Sequence, residues 1–163
     1  MKKKFISILL LVCIPTLVYI VFVITQPSSF GSFNSLFILL QQSLLPSIAA
    51  FGFYFIITMG LFDFSIGSNI VLGGIVSATL SISLGYFGLF AGGILVGAIV
   101  GLLNGLIYTK LKIPSIIVTV GLMMIYECFG KFVSGGKIIT LANNMRLFGG
   151  APYNLIISIL AMF

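Results

Sequence analysis

The sequence predicts an all-α protein, a polytopic bundle of transmembrane helices with about five complete spans and the start of a sixth. Of the 163 residues, 60% are hydrophobic and only 6% are charged, and the mean hydropathy is +1.32. A soluble globular domain carries about 25% charged residues. The chain has too much apolar surface for a water-soluble fold, so we expect it to lie in a membrane.

The apolar runs between the polar turns define the expected spans. A helix rises about 1.5 Å per residue, so about 20 apolar residues cross a bilayer. The first run, residues 5–25, exceeds the apolar core of a signal peptide, about 7–15 residues, and a polar turn at 26–35 follows it. Further spans are predicted at 36–62, 69–84, 89–109 and 115–133, with turns at 63–68, 85–88, 110–114 and 134–152. A sixth run at 154–163 reaches about half of the bilayer, so we expect the chain to be C-terminally truncated.

The basic residues predict an orientation. Lysines at positions 2–4 and at 110 and 112 lie at the same membrane face when an even number of spans separates them, and the positive-inside rule makes that face cytoplasmic. The net charge of +6 therefore reflects topology and not nucleic-acid binding. The same arrangement leaves three basic residues outside, Lys131, Lys137 and Arg146.

Asp63 is the only formal charge between Lys4 and Lys110. A charged side chain costs roughly 2.5–3.5 kcal/mol at the centre of a membrane helix on insertion scales. Asp63 is therefore expected at a membrane edge, beside a wet cavity, or at a functional position. One interpretation is that Asp63, Ser65 and Ser68 cap the start of the third span. A polar helix start that lines a pathway is the alternative, and the two are compatible.

Small residues recur every fourth position in the third and fourth predicted spans. Residues four apart share a helix face, and a ridge of small residues lets a second helix approach closely. We expect the two spans to pack as an antiparallel hairpin; a ridge that lines a translocation path is the alternative. The positions predicted to pack are Gly73, Gly93, Gly97, Gly101 and Gly105.

No catalytic pattern stands out. The chain has no histidine, no glycine-rich phosphate loop with its lysine and no nucleophile beside a base. We therefore expect no enzyme, no cofactor and no metal. Cys13 and Cys128 each lie inside an apolar run and are interpreted as small buried hydrophobic residues.

Two stretches together resemble a known family. Residues 60–68, Gly-Leu-Phe-Asp-Phe-Ser-Ile-Gly-Ser, are similar to the Gly-Gly-Ile-Asp-Leu-Ser-Val-Gly-Ser signature of the ribose/xylose/galactose-type permeases of bacterial ABC importers. Residues 101–105 and 112–121 resemble that family's Asn-Gly, Ile-Pro and Ile-Val-Thr-Leu-Gly pattern. Leu61 replaces a glycine, and Ile116 stands where an aromatic residue is usual. The resemblance runs from about residue 36 to the end and covers the N-terminal half of such permeases.

The resemblance implies a single permease domain over residues 1–163, in the bacterial inner membrane with a cytoplasmic N-terminus. It implies import of a monosaccharide, with ATP hydrolysis in a separate ABC ATPase subunit. An extracytoplasmic sugar-binding protein, a second permease chain and membrane lipid would be the other partners. The alternative is a small, non-transporting membrane protein, or truncated remnant, that assembles through its glycine ridges. The candidate pathway or cap residues are Asp63, Ser65, Gly67, Ser68, Asn104 and Thr119.

Overall fold

In the computed structural model the chain is described at residues 2–141 and at Tyr153, Ile156 and Leu160. All secondary structure in this part of the chain is helical, which confirms the all-α class. The helices are α1 (Lys2–Thr25), α2 (Pro27–Phe30), α3 (Phe33–Thr58), α4 (Ile66–Leu111) and α5 (Ser115–Ser134).

In the described part of the chain, three helices, α3, α4 and α5, are long and apolar enough to cross a membrane. If its 46 residues formed one straight helix, α4 would be longer than twice the thickness of the hydrocarbon layer. They do not form one rod, because Gly85 has φ 62° and ψ −144°, a conformation that residues with a Cβ avoid. Gly85 divides α4 into an N-terminal arm, residues 66–84, and a C-terminal arm, residues 86–111.

The predicted count of five spans and a sixth is not confirmed. The spans predicted at 36–62, 69–84, 89–109 and 115–133 coincide with α3, the two arms of α4, and α5. The first predicted span, residues 5–25, falls within α1. The sixth predicted span and most of the loop predicted at 134–152 lie outside the described residues.

The break between α3 and α4 lies earlier than the sequence predicts. It covers residues 59–65, and α4 already begins at Ile66. The turn at Gly60, where φ is 76°, ends α3, and the Gly60 N–H donates to the carbonyl of Ile57 at 2.8 Å. Because the residues that follow this turn are also apolar, the hydropathy pattern does not indicate where α3 ends.

The two arms of α4 pack against each other as an antiparallel hairpin. Gly92 lies so close to the N-terminal arm that a Cβ there would come within 2.9 Å of Ser77 Cα. Further from the turn, a Cβ on Gly73 would lie 4.0 Å from Val96 Cγ1. In each of these contacts the two residues lie at similar sequence distances before and after Gly85, as expected for an antiparallel hairpin that turns at Gly85.

The predicted glycine ridge does not follow this contact. A Cβ on Gly93 would meet Ser77 Oγ at 3.2 Å, but one on Gly97, Gly101 or Gly105 would meet nothing within 4 Å. With 3.6 residues per turn, each step of four residues moves about 40° further around the helix. The row that begins beside the N-terminal arm at Gly93 therefore turns away from that arm along α4.

Helix α5 covers both arms of the hairpin. Its residues Val118, Leu122 and Tyr126 are buried against Leu72 and Val100, one residue from each arm. A Cβ on Gly130 would lie 3.3 Å from Ile75 Cδ1. Positions 118, 122, 126 and 130 share one face of α5, so this face forms the core.

The chain divides into two compact units, Met1–Pro46 and Ser47–Phe163. In the first unit, the Tyr19 hydroxyl donates to the Phe30 carbonyl at 3.0 Å, and the rings of Phe22 and Phe30 are 5.2 Å apart. The second unit contains the last part of α3, the hairpin and α5. A single domain over residues 1–163 stays a prediction.

Candidate functional site around Asp63

Asp63 is half-buried in the extended segment between α3 and α4, and its carboxylate accepts three hydrogen bonds. Oδ1 accepts from the Ser65 backbone N–H at 2.7 Å and from the Ser65 hydroxyl at 2.6 Å. Oδ2 accepts from Asn104 Nδ2 at 3.2 Å. The carboxylate therefore accepts the N–H of Ser65, the residue that precedes α4, and binds the C-terminal arm of that helix.

Asn104 connects this carboxylate to α5. Its Nδ2 also donates to Ser65 Oγ at 2.7 Å, and its Oδ1 accepts from the Tyr126 hydroxyl at 2.6 Å. A flipped amide would place the Asn104 carbonyl oxygen against the Asp63 carboxylate, two acceptors facing each other. We call the hydrogen-bonded side chains of Asp63, Ser65, Asn104 and Tyr126 the Asp63 network. It fixes the orientation of the Asn104 amide and joins the start of α4, its C-terminal arm and α5.

Two hydroxyl groups at the start of α5 accept hydrogen bonds from the backbone of the extended segment. The Phe62 N–H donates to Ser115 Oγ at 3.0 Å, and the Phe64 N–H donates to Thr119 Oγ1 at 3.2 Å. Ser115 and Thr119 are four residues apart and share a face of α5. Backbone polar groups cannot stay unpaired in a membrane protein, and α5 supplies partners for two N–H groups that lie outside a helix.

The network lies inside the apolar length of the chain. Asn104 precedes Leu111, the last residue of α4, by about two turns, roughly 10 Å along the helix axis. The lysines at 110 and 112 mark the polar end beyond it. Non-helical backbone at membrane depth is found where protein covers it or where it lines a water-filled cavity. The segment around Asp63 meets the first condition on the side of α5.

The other predicted residues of the segment have different surroundings. Ser65 is almost fully buried, at 1% exposure, and the Ser68 hydroxyl donates to the Ser65 carbonyl at 2.8 Å. Neither serine side chain caps a backbone N–H of α4, because the Ser65 hydroxyl donates to Asp63. Gly67 is exposed, and a Cβ there would meet nothing within 4 Å.

Two cavities adjoin this part of the chain. One of about 380 Å³ has the Asp63 carboxylate as its only charged lining group and is otherwise formed by Ala49, Ala50, Phe53, Phe64, Ile66 and Gly67. The other, of about 330 Å³, lies between the hairpin and α5 and is lined by apolar and aromatic side chains, among them Leu72, Val96, Val100, Tyr126 and Phe129. Only the first combines a carboxylate with aromatic rings.

The structure brings together Asp63, Ser65, Asn104 and Thr119, four residues that the sequence singles out. Ser68 joins them through the Ser65 carbonyl, whereas Gly97, Gly101 and Gly105 lie apart. Sequence reasoning missed Ser115 and Tyr126. Their spacing from Thr119, four residues before and seven after, places all three on one face of α5, and this polar stripe in an apolar helix is the signal that would have identified them.

Metal ligands do not cluster in the part of the chain that the structure describes. No group of three or more histidine, cysteine, aspartate or glutamate side chains comes together there. What the site offers is a fixed carboxylate, an oriented amide and several hydroxyl groups. Such groups form hydrogen bonds with a polar ligand or with water.

A family described as branched-chain amino acid transport system / permease component matches residues 35–144. The L-arabinose ABC transporter permease protein AraH of Azospirillum brasilense is 31% identical over 137 residues, which cover 80% of this chain and 39% of that protein. The ribose import permease protein RbsC of Escherichia coli K12 is 30% identical over 139 residues, which cover 83% of this chain and 43% of that protein.

The ribose import permease protein RbsC of Haemophilus influenzae is 28% identical over 161 residues, 97% of this chain and 47% of that protein. The chain therefore spans less than half the length of the curated relatives it matches. No solved structure matches it. The family match covers more than half of the chain and includes the whole Asp63 network, so the chain belongs to this family of transport-system permease components.

Proposed function

We propose that the chain is the membrane-spanning permease component of an ATP-driven importer and that its substrate is a monosaccharide. The observation that carries the proposal is the Asp63 network, a hydrogen-bonded carboxylate inside an otherwise uncharged apolar stretch, beside a cavity. An intramembrane carboxylate is costly and marks a function by default. The similarity of the chain to sugar ABC permeases indicates which function.

In this proposal the chain catalyses no reaction. Its contribution is a path through the membrane whose polar part is held by the contacts of Asp63, Asn104 and Tyr126. Because these contacts join both arms of the hairpin to α5, the three helical segments would move as one body during transport. ATP hydrolysis belongs to a separate subunit.

The proposed assembly has further partners. They are an ABC ATPase on the cytoplasmic side, an extracytoplasmic sugar-binding protein and a second permease chain, all in a bacterial inner membrane. The basic residues at 2–4, 110 and 112 support a cytoplasmic N-terminus and a cytoplasmic loop between α4 and α5. That loop is a short basic surface next to the Asp63 network.

The test is uptake of radiolabelled D-ribose and L-arabinose by cells that express the chain together with the proposed ATPase and sugar-binding protein partners. We expect accumulation of at least one sugar, and its loss when the gene for this chain is deleted or ATP is depleted. Cells that express the ATPase and binding protein alone are the control. Equal accumulation of both sugars with and without the chain would contradict the proposal.

A further inference from the structure

The cavity beside Asp63 has a composition that fits one class of ligand. We propose that it is a weak binding site for a neutral polyhydroxylated ligand, a single monosaccharide ring, in which Asp63 accepts a hydrogen bond from a sugar hydroxyl and the rings of Phe53 and Phe64 contact the apolar face of the sugar. This rests on the proposed function and deepens it by assigning a place in the chain to the substrate.

The carboxylate has an acceptor position to offer. Asp63 accepts three hydrogen bonds within the protein, two at Oδ1 and one at Oδ2. An ionised carboxylate has about four acceptor sites, and the Asp63 side chain is half-buried and lines the cavity. The remaining position on Oδ2 needs a donor, because an unsatisfied charged group is costly at membrane depth. Water or a ligand hydroxyl supplies that donor.

The rest of the cavity wall is apolar and aromatic. Phe64 leaves 53% of its surface exposed, and the Phe53 ring is held by an edge contact with Phe62, their centroids 6.5 Å apart. A sugar ring has hydroxyl groups at its edge and C–H groups on its faces, so aromatic rings beside a carboxylate match both parts. The volume of about 380 Å³ is at the small end of ligand sites, which usually have about 300–1,000 Å³.

The wall does not suit a lipid tail. An acyl chain in this cavity would leave the free acceptor of Asp63 in hydrocarbon without a donor. The other cavity, with no charged residue in its lining, has no such conflict. One charged contact and an open cavity predict weak binding, which suits a permease that must release its substrate.

Ala50 allows a test that leaves the hydrogen-bond network unchanged. It lines the cavity but makes none of the contacts of Asp63. Ala50→Phe fills the cavity, whereas Ala98→Phe makes the same change on an exposed position of α4 outside both cavities and is the matched control. In the complete transporter we expect Ala50→Phe to lower sugar uptake by about tenfold or more at unchanged membrane abundance, and Ala98→Phe to stay within about twofold of the wild type. Full uptake by Ala50→Phe would overturn the proposal.

A labelling experiment gives a second readout that does not depend on transport. Ala50→Cys is made in a variant that lacks Cys13 and Cys128, and its reaction rate with a small maleimide is measured in the complete transporter with and without D-ribose or L-arabinose. We expect the transported sugar to slow labelling by about threefold or more. Thr79→Cys, on an exposed position of α4 outside both cavities, is the control and should react at the same rate in either case.

The two outcomes separate the site from the function. Sugar uptake by the wild type without protection of Ala50→Cys would overturn this site and leave the proposed function standing. Absence of uptake would contradict the proposed function. Slower labelling of Ala50→Cys in the presence of sugar would then still support the binding site, and unchanged labelling would overturn it. Slower labelling on addition of phospholipid but not of sugar would assign the cavity to a lipid tail and overturn the proposal.

Discussion

At the scale of one residue, the Asp63 carboxylate accepts hydrogen bonds from donors that have no partner within a helix. It accepts the Ser65 N–H at the start of α4, and the same oxygen accepts the Ser65 hydroxyl. This is the geometry of an Asx-turn, in which an aspartate side chain accepts the backbone N–H two residues further on, and the turn lies immediately before α4. Its second oxygen is left for Asn104 and for the cavity.

Substitutions of Asp63 separate its acceptor role from its charge. Asp63→Leu leaves the Ser65 N–H and one Asn104 N–H without an acceptor, and each unsatisfied buried donor costs about 1–3 kcal/mol. Asp63→Asn keeps an oxygen for Ser65 but directs an amide toward Asn104. We expect the order of thermal stability in detergent to be wild type, then Asn, then Leu, and the order of sugar uptake in the complete transporter to be the same.

Abundance in the membrane must be measured beside uptake, because a misfolded variant transports nothing. Asp63→Asn with wild-type abundance but an uptake as low as that of Asp63→Leu would show that the charge itself is required. The explanation by hydrogen-bond acceptance would then be replaced by a direct ionic role for Asp63.

Tyr126 belongs to the Asp63 network through its hydroxyl group, and removing that hydroxyl tests the contribution of this contact. Tyr126→Phe deletes the donor to Asn104 Oδ1, a bond of 2.6 Å, and leaves the ring in the core with Leu122. We expect a loss of about 0.5–1.5 kcal/mol in the free energy of unfolding, seen as a lower melting temperature in detergent. Tyr54→Phe, whose side chain is 61% exposed, is the matched control. An equal shift in both variants would contradict a specific role for Tyr126.

At the scale of the element, the hairpin of α4 depends on glycines with two different roles. Gly85 supplies the backbone angles of the turn, φ 62° and ψ −144°. Gly88 and Gly92 supply the close approach of the arms, beside the Leu80 backbone and beside Ser77. A small residue at a helix contact is the usual means of close packing in membranes, and here position 92 lies one residue before the start of the row of glycines that the sequence displays.

The structure therefore predicts opposite effects on stability when Gly92 and Gly97, two glycines of the same arm, are replaced by alanine. Gly92→Ala places a Cβ 2.9 Å from the Ser77 Cα atom, and a backbone atom cannot move aside as a flexible side chain can. We expect a loss of about 1–3 kcal/mol, measured as a lower melting temperature of the purified chain. Gly97→Ala meets nothing within 4 Å and should gain about 0.5–1 kcal/mol from helix propensity.

The two glycine variants are each other's control, because both exchange glycine for alanine within the same arm. A larger loss for Gly97→Ala than for Gly92→Ala would show that the ridge, and not position 92, holds the arms together.

The sequence predicts the helical class, the hairpin and three residues of the Asp63 network, Asp63, Ser65 and Asn104, because each has a local signal. Apolar length marks the helices, small residues mark a close helix contact, and a lone charge marks the break. The end of α3 at Thr58 has no such signal, since the residues after Gly60 are also apolar. The bond between Tyr126 and Asn104 could not be predicted either, because 22 residues separate them and only the packing of α5 on the hairpin brings them together.

At the scale of the whole molecule, the polar contacts concentrate at one end of the second unit. The Asp63 network, the start of α5 and the end of α4 all lie there. The Gly85 turn and the end of α5 lie at the other end, because α5 runs antiparallel to the C-terminal arm of α4. The lysines at 110 and 112 are next to the first end, so we predict from the positive-inside rule that the Asp63 network lies in the cytoplasmic half of the membrane.

This arrangement predicts which residues a membrane-impermeant maleimide reaches in intact cells. Single cysteines are placed at Phe87, Leu111 and Ile138, whose side chains are 76%, 57% and 94% exposed, in a variant that lacks Cys13 and Cys128. These positions leave every lysine in place, so the charges that set the orientation are unchanged. We expect Phe87→Cys and Ile138→Cys to react from outside and Leu111→Cys only after permeabilisation. Labelling of Leu111→Cys and Ile138→Cys from the same side would contradict the antiparallel arrangement of the helices, whereas a complete exchange of sides would contradict only the orientation drawn from the lysines.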